Sequence, residues 1–221
     1  MTTAMGIITI IMTYSYLRDP AAIYRQSFAT IRAETNLDRF PPALHPLVLR
    51  LVHTAGDPAI AADLVWSEGA VEAGQAALQE GAPILADARM VEAGIIRRYL
   101  PRDNPVLCTL DGTEELARSL GTTRSAAAAE LWRPHLAGAV IAIGNAPTAL
   151  FHLLEMIEAG APLPAVVLGF AVGFVGAAES KAALTANRLG LPFLALSGRR
   201  GGSALAVAAV NALAAGVPED N

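Results

Sequence analysis

Proton transfer near neutral pH falls first to histidine, and the 221-residue sequence holds four, at positions 45, 53, 135 and 152. Only His53 combines a neighbouring cation with a face off the core. In RLVHTAGDP, Arg50 to Pro58, arginine and histidine stand three residues apart and share one helical face. That face is not the core's: Leu44, Leu47, Val48, Leu51 and Val52 follow the spacing of a buried stripe, and Gly56 with Asp57-Pro58 ends the helix. Arg50 and His53 lie opposite, where solvent, a ligand or another subunit would meet them. A helix dipole favours a cation in the last turn, where His53 falls, while Arg50 repels one until an anion arrives. The pair reads either as a proton donor that an anionic ligand switches on or as a solvated surface histidine. His45, His135 and His152 read as structural.

Four further groups could hold an anion. Ser197 to Ser203 brings Arg199, Arg200, Gly201, Gly202 and Ser203 to one helix start, combining charge with exposed N–H groups. Thr123, Arg124 and Ser125 cap an alanine-rich helix. Arg124 is unfavourable at that end for the dipole, so it either meets a bound anion or is an exposed arginine of no consequence. Ser27 is the polar member of the set Ile23, Tyr24, Ser27, Phe28 and Ile31 on the helix that Asp19-Pro20 opens, and it either bonds back to a carbonyl in the preceding turn or donates to a ligand carboxylate. Gly173 and Gly176 after Val166–Phe170 allow a tight turn with outward N–H groups. A dinucleotide site is weakened there, because Ala171 stands where the first glycine of G-x-G-x-x-G belongs and no acid follows at about 20 residues.

The elements that position these residues alternate. Short apolar runs at Ala61–Trp66, Val106–Leu110, Val140–Ile143, Val166–Phe170 and Leu191–Leu196 read as strands, GAPILADARMVEAGI from Gly81 reads as strand, turn and helix, and amphipathic or alanine-rich stretches between them read as helices. Asn145 is the expected cap of the helix after Val140–Ile143, and Asp87 marks a strand-to-helix junction. The alternation predicts an α/β fold: a three-layer α/β/α arrangement with a mostly parallel central sheet, a Rossmann-like single domain, with loops at the strands' C-terminal ends gathering the site. The domain spans 16–216, between tails 1–15 and 217–221. The apolar run Met5–Met12 is too short to cross a bilayer and lacks a basic region before it, so it reads as a misplaced start or an oligomer contact.

A net charge of −4 argues against nucleic-acid binding through a bulk positive field, so anionic ligands need local clusters. One cysteine, Cys108, makes no intrachain disulfide, which leads to a cytoplasmic expectation with no membrane partner. No histidine or cysteine has metal-site spacing, and neither a G-x-S-x-G elbow nor a Walker loop is present.

From Tyr16 to Leu213 the chain resembles the precorrin-8X methylmutase (precorrin isomerase) family of cobalamin biosynthesis. The resemblance rests on YLRDPAAIYRQSFATIRAE, RLVHTAGDP, GAPILADARMV, TRSAAA, the stretch GNAPTALF to GAAESK, and GRRGGSALAVAAVNALA, in that order. Ala171 departs from it, standing where the family commonly has proline. The resemblance implies an isomerase that moves a methyl group from C-11 to C-12 of precorrin-8X, giving hydrogenobyrinic acid, without metal, nucleotide or redox cofactor. It implies that His53 is the proton donor and acceptor, that Arg50 and Ser27 contact the substrate, and that the protein is a homodimer. The residues agree physically: protonating a conjugated macrocycle makes the receiving carbon electron-poor, and a polycarboxylate tetrapyrrole needs Arg50, Arg124, Arg199, Arg200 and helix starts with Thr123, Ser125 and Ser203. Two other readings are a methylmutase for the cobalt-containing substrate and a non-catalytic corrinoid carrier, the latter leaving His53 without a task.

Overall fold

The structure, a computed structural model, describes residues 14–216; the run Met5–Met12 and the tail 217–221 lie outside the described residues. Asp19 opens the first helix as its sequence requires. Its carboxylate accepts from Ala21 and Ala22 N–H, Pro20 takes the first position, and α1 runs Pro20–Glu34. Two 3-10 turns lead into α2, His45–Ala55, which Gly56 stops in the left-handed region at φ 63°.

The next segment departs from expectation. Asp57 accepts from the Ala59 N–H and starts a 3-10 stretch, Pro58–Asp63, so that only Leu64–Trp66 remains as β1. The alternation then runs α3 Ala70–Gln79, β2 Ile84–Ala86, α4 Arg89–Gly94, β3 Val106–Leu107, α5 Glu114–Leu120, α6 Arg124–Glu130 and β4 Val140–Ile143. It closes with α7 Pro147–Glu158, β5 Val166–Gly169, α8 Ala177–Thr185, β6 Phe193–Leu196 and α9 Ser203–Ala215. β3 is shorter than its apolar run, because Thr109 turns its hydroxyl onto the Ala128 carbonyl at 2.7 Å and the chain leaves the sheet.

The strands lie in the order β1-β6-β5-β4-β2-β3. Every neighbouring pair is parallel except β1, which runs antiparallel to β6 with Leu64 opposite Leu196. Each strand is apolar on both sides, and helices cover both. Ile84, Ala86, Val140, Ala142, Val166 and Leu168 face α2, α3 and α9, while Leu85, Ile141, Ile143 and Val167 face the layer of α6, α7 and α8. α9 is apolar all round because it is wedged between the sheet and α2, α3 and α4. This is the three-layer, mostly parallel α/β architecture that the alternation predicts.

α7 has no side-chain cap of its own: its N-cap is Ala146, not Asn145. The buried carboxylate of Asp87, at the end of β2, accepts instead from the N–H groups of Gly144, Asn145 and Ala146 at 2.9, 2.9 and 2.6 Å. β2 and β4 are the adjacent strands whose connections leave to opposite faces, so this is the switch crevice where doubly wound folds place an anionic ligand. Here the chain's own side chain fills that amide nest. Burial pushes the Asp87 carboxyl up, and the three N–H donors pull against it.

Candidate active site

α1 packs on α2, burying Phe28 and Ile31 and turning the neighbouring Ser27 toward the last turn of α2. Ser27 Oγ lies 2.9 Å from Nδ1 of His53. Thr30, one turn on, is the residue that bonds back along the helix, to the Gln26 carbonyl at 3.0 Å. The imidazole also stacks on two rings of α1, Phe28 at 5.1 Å and 20° and Tyr24 at 5.9 Å and 18°. A hydroxyl accepts from a protonated Nδ1 and donates to a bare one, so Ser27 holds the ring's orientation in either tautomer and leaves Nε2 free of this contact.

Arg50 shares this turn, but its surroundings are not those of an outward face. Its Nε donates to the Gly216 carbonyl at the end of α9, and its guanidinium lies 5.5 Å from the Tyr99 ring. Nη2 is buried without a hydrogen-bond partner among the described residues. Sequence spacing alone leaves this flank of α2 to solvent; α9 crosses it in the fold. An unpaired buried guanidinium N–H costs free energy until an acceptor reaches it.

Three cavities of about 540, 460 and 410 Å³ surround the C-terminal half of α2. His53 lines the second with Ser27 and Ile23, and the third with Arg50, Met90 and Asn211. Thr54 and Ala204 line both the third and the first, whose far wall is Val172–Phe174 with Arg199 and Arg200. His53 therefore stands between the second and third hollows, and the third adjoins the first, which holds the arginine loop.

The two arginines of that loop differ. Arg200 is engaged within the chain, donating to Asp63 at 2.7 Å and Asp57 at 2.9 Å, whereas Arg199 extends over the Phe174 ring at 5.4 Å. Ser203 is the first residue of α9 and packs at Gly144, where a side chain would come within 2.6 Å of its Cα. Thr123, Arg124 and Ser125 line none of the three cavities. Thr123 caps α6 and bonds Thr148 at 2.8 Å, and Arg124 pairs with Glu114 at 3.1 Å. The glycine loop Gly173–Gly176, read as a place for an anion, instead presents Phe174 and Val175 to solvent at 85% and 89% exposure.

Sequence reasoning passed over the Tyr24 and Phe28 stack, the Asp57 and Asp63 partners of Arg200, and the buried Lys181. The aromatic pair had a legible signal, since Tyr24 and Phe28 flank Ser27 at helical spacing. Among the described residues no group of three His, Cys, Asp or Glu side chains could hold a metal ion, and no helix is long and apolar enough to cross a membrane.

Comparison with known proteins follows the same geometry. The family model described as precorrin-8X methylmutase matches residues 22–215. A precorrin-8X methylmutase of Pseudomonas aeruginosa is 59% identical over 201 residues, 90% of this chain and 97% of that one. One of Sinorhizobium sp. is 54% identical over 91% of this chain and 97% of its own length. The crystal structure of a precorrin-8X methyl mutase from Thermus thermophilus superimposes with a TM-score of 0.79 at 42% identity, covering 87% of this chain and 94% of that one.

Proposed function

The chain belongs to the precorrin-8X methylmutase family, and on that premise we propose how it carries out the shift of a methyl group from C-11 to C-12 of precorrin-8X. The single observation that carries the reading is the Ser27–His53 pair at 2.9 Å, stacked on α1 and set between cavities. Nε2–H of His53 gives its proton to the conjugated macrocycle, and the ring becomes electron-poor at the receiving carbon. The methyl group moves with its bonding pair from C-11 to C-12, and the proton returns to Nε2. Nothing is consumed, so substrate and product are isomers.

Binding falls to charge at the rim. The guanidinium of Arg199 is the donor most open to carboxylates, and Nη2 of Arg50, buried and without a partner among the described residues, and Ser203 at the start of α9 are further contacts. Arg200 contributes through its loop, its side chain being engaged. The protein acts as a homodimer whose interface borders the site; the exposed Phe174 and Val175 at the cavity mouth support this. Its single, buried Cys108 suits the cytoplasm.

The test is incubation with precorrin-8X, no cofactor added, followed by visible absorbance as the corrin chromophore forms. His53→Ala should bind the macrocycle and lose at least about 10²-fold in rate, the contribution typical of a positioned general acid. His53→Phe keeps the ring stack and should be equally inactive. An unchanged spectrum with the parent, against turnover of the cobalt-containing substrate, would move the assignment to that substrate; binding without turnover of either would leave a carrier.

A further inference from the structure

Lys181 is a charged side chain that the fold closes over, 1% exposed on α8, and no step above uses it. Its Nζ donates to the carbonyl of Arg200 at 2.6 Å. Burial lowers Lys181 to about 8, with the Asp63 carboxylate pulling the other way. A methionine would fill the same space without desolvating an ammonium, so the charge is retained at a cost to stability.

That ammonium controls one residue. Arg200 is held at both ends, its carbonyl by Lys181 and its guanidinium by Asp57 and Asp63. The next residue, Gly201, is pressed on the chain after β5, where a Cβ would sit 2.2 Å from the Phe170 carbonyl oxygen, and Gly202 N–H donates to that oxygen at 2.8 Å. With the Arg200 carbonyl turned inward, its guanidinium tied to Asp57 and Asp63 and the glycines pinned, Arg199 is the side chain left to turn out. It lines the cavity of about 540 Å³ and, among the described residues, has no carboxylate partner.

We infer that Lys181 is a positioning residue for substrate binding: by holding the Arg200 carbonyl inward it presents Arg199 at the cavity wall to a carboxylate of the substrate. The inference rests on the functional reading above and adds to it the group that orients one of its cations. Arg199 touches the ligand; Lys181 acts through it.

Lys181→Met keeps the reach of the side chain and removes its charge and donor. In steady-state turnover of precorrin-8X, KM should rise about tenfold, the low end for one charge-assisted contact, with kcat within about twofold of the parent. The melting temperature at pH 7 should be no lower than the parent's. Arg199→Met should give the same rise in KM, and the double variant no more than Arg199→Met alone, because the two act in series. An unmoved KM, additive effects, or a fall in kcat together with melting temperature would overturn the inference, as would a Met variant that fails to fold, since Lys181 would then be structural. A parent chain that neither binds nor turns over the substrate would sink the functional reading and this inference with it.

Discussion

Replacing Ser27 by Ala separates two jobs that one hydroxyl could have. If Ser27 binds a substrate carboxylate, its loss weakens ground state and transition state alike, raising KM and leaving kcat unchanged. The geometry gives it the other job, since its Oγ sits 2.9 Å from Nδ1 of His53. Removing it leaves the imidazole stacked on Phe28 and Tyr24, at 5.1 and 5.9 Å, but free to pivot in its own plane. A hydrogen bond of this kind contributes about 0.5–1.5 kcal/mol net, and more when the ring is charged. At about 1.4 kcal/mol per factor of ten, kcat should fall on the order of tenfold, well short of the loss in His53→Ala. The assay is absorbance-monitored turnover across a range of substrate concentration, with single-turnover traces to isolate the chemical step. A tenfold rise in KM at constant kcat would refute the reasoning and return Ser27 to the substrate.

Arg50→Ala should weaken corrinoid binding by about tenfold or more, because it removes a buried guanidinium N–H that no group among the described residues satisfies; a titration indistinguishable from the parent's at low salt would count against that contact. Asp87→Ala strands the N–H groups of Gly144, Asn145 and Ala146 and should cost about 3 kcal/mol or more, read as a melting temperature lower by roughly 6–12 °C. Lys181 sets a pH dependence whose sign is fixed. Its folded value of about 8 lies below the ordinary 10.5, so the buried ammonium opposes folding below pH 8, and stability from this group should grow as pH rises from 8 toward the ordinary value. The gap in melting temperature between Lys181→Met and the parent should therefore narrow over that range; a gap that widens would refute the sign. Light scattering at micromolar concentration should report a dimer, and a fully active monomer would exclude an interface bordering the site.

Much of the fold was legible because its signals are local. The stripe of α2, the Gly56 stop, the Asp19-Pro20 start, the Thr123 cap and the run Val140–Ile143 all sit in the structure where the sequence puts them. Each depends on dihedral preferences and spacing within about a dozen residues, which tertiary contacts rarely overturn. The element ends that moved did so for contacts with neighbours: Asp57 made Pro58–Asp63 a 3-10 segment, and Thr109 took the chain out of β3 onto the Ala128 carbonyl.

The residue types of the site were also in the sequence, His53 with Arg50 above all, and they sufficed to indicate acid–base chemistry beside an anion. Their partners were not. Ser27 and His53 are 26 positions apart, Arg50 and Gly216 are 166, and Arg200 and Asp57 are 143, and no periodicity links residues so distant. The strands carry apolar residues at every position, so sequence could mark them as buried without saying which side chain faces which layer. Only strand order decides that, and it also brings the Asp87 carboxylate into the crevice that a ligand phosphate would otherwise occupy. Lys181 shows the limit most sharply: a lysine in an alanine-rich helix reads as solvated until packing closes over it, because the free energy that fixes its role comes from desolvation and one distant carbonyl.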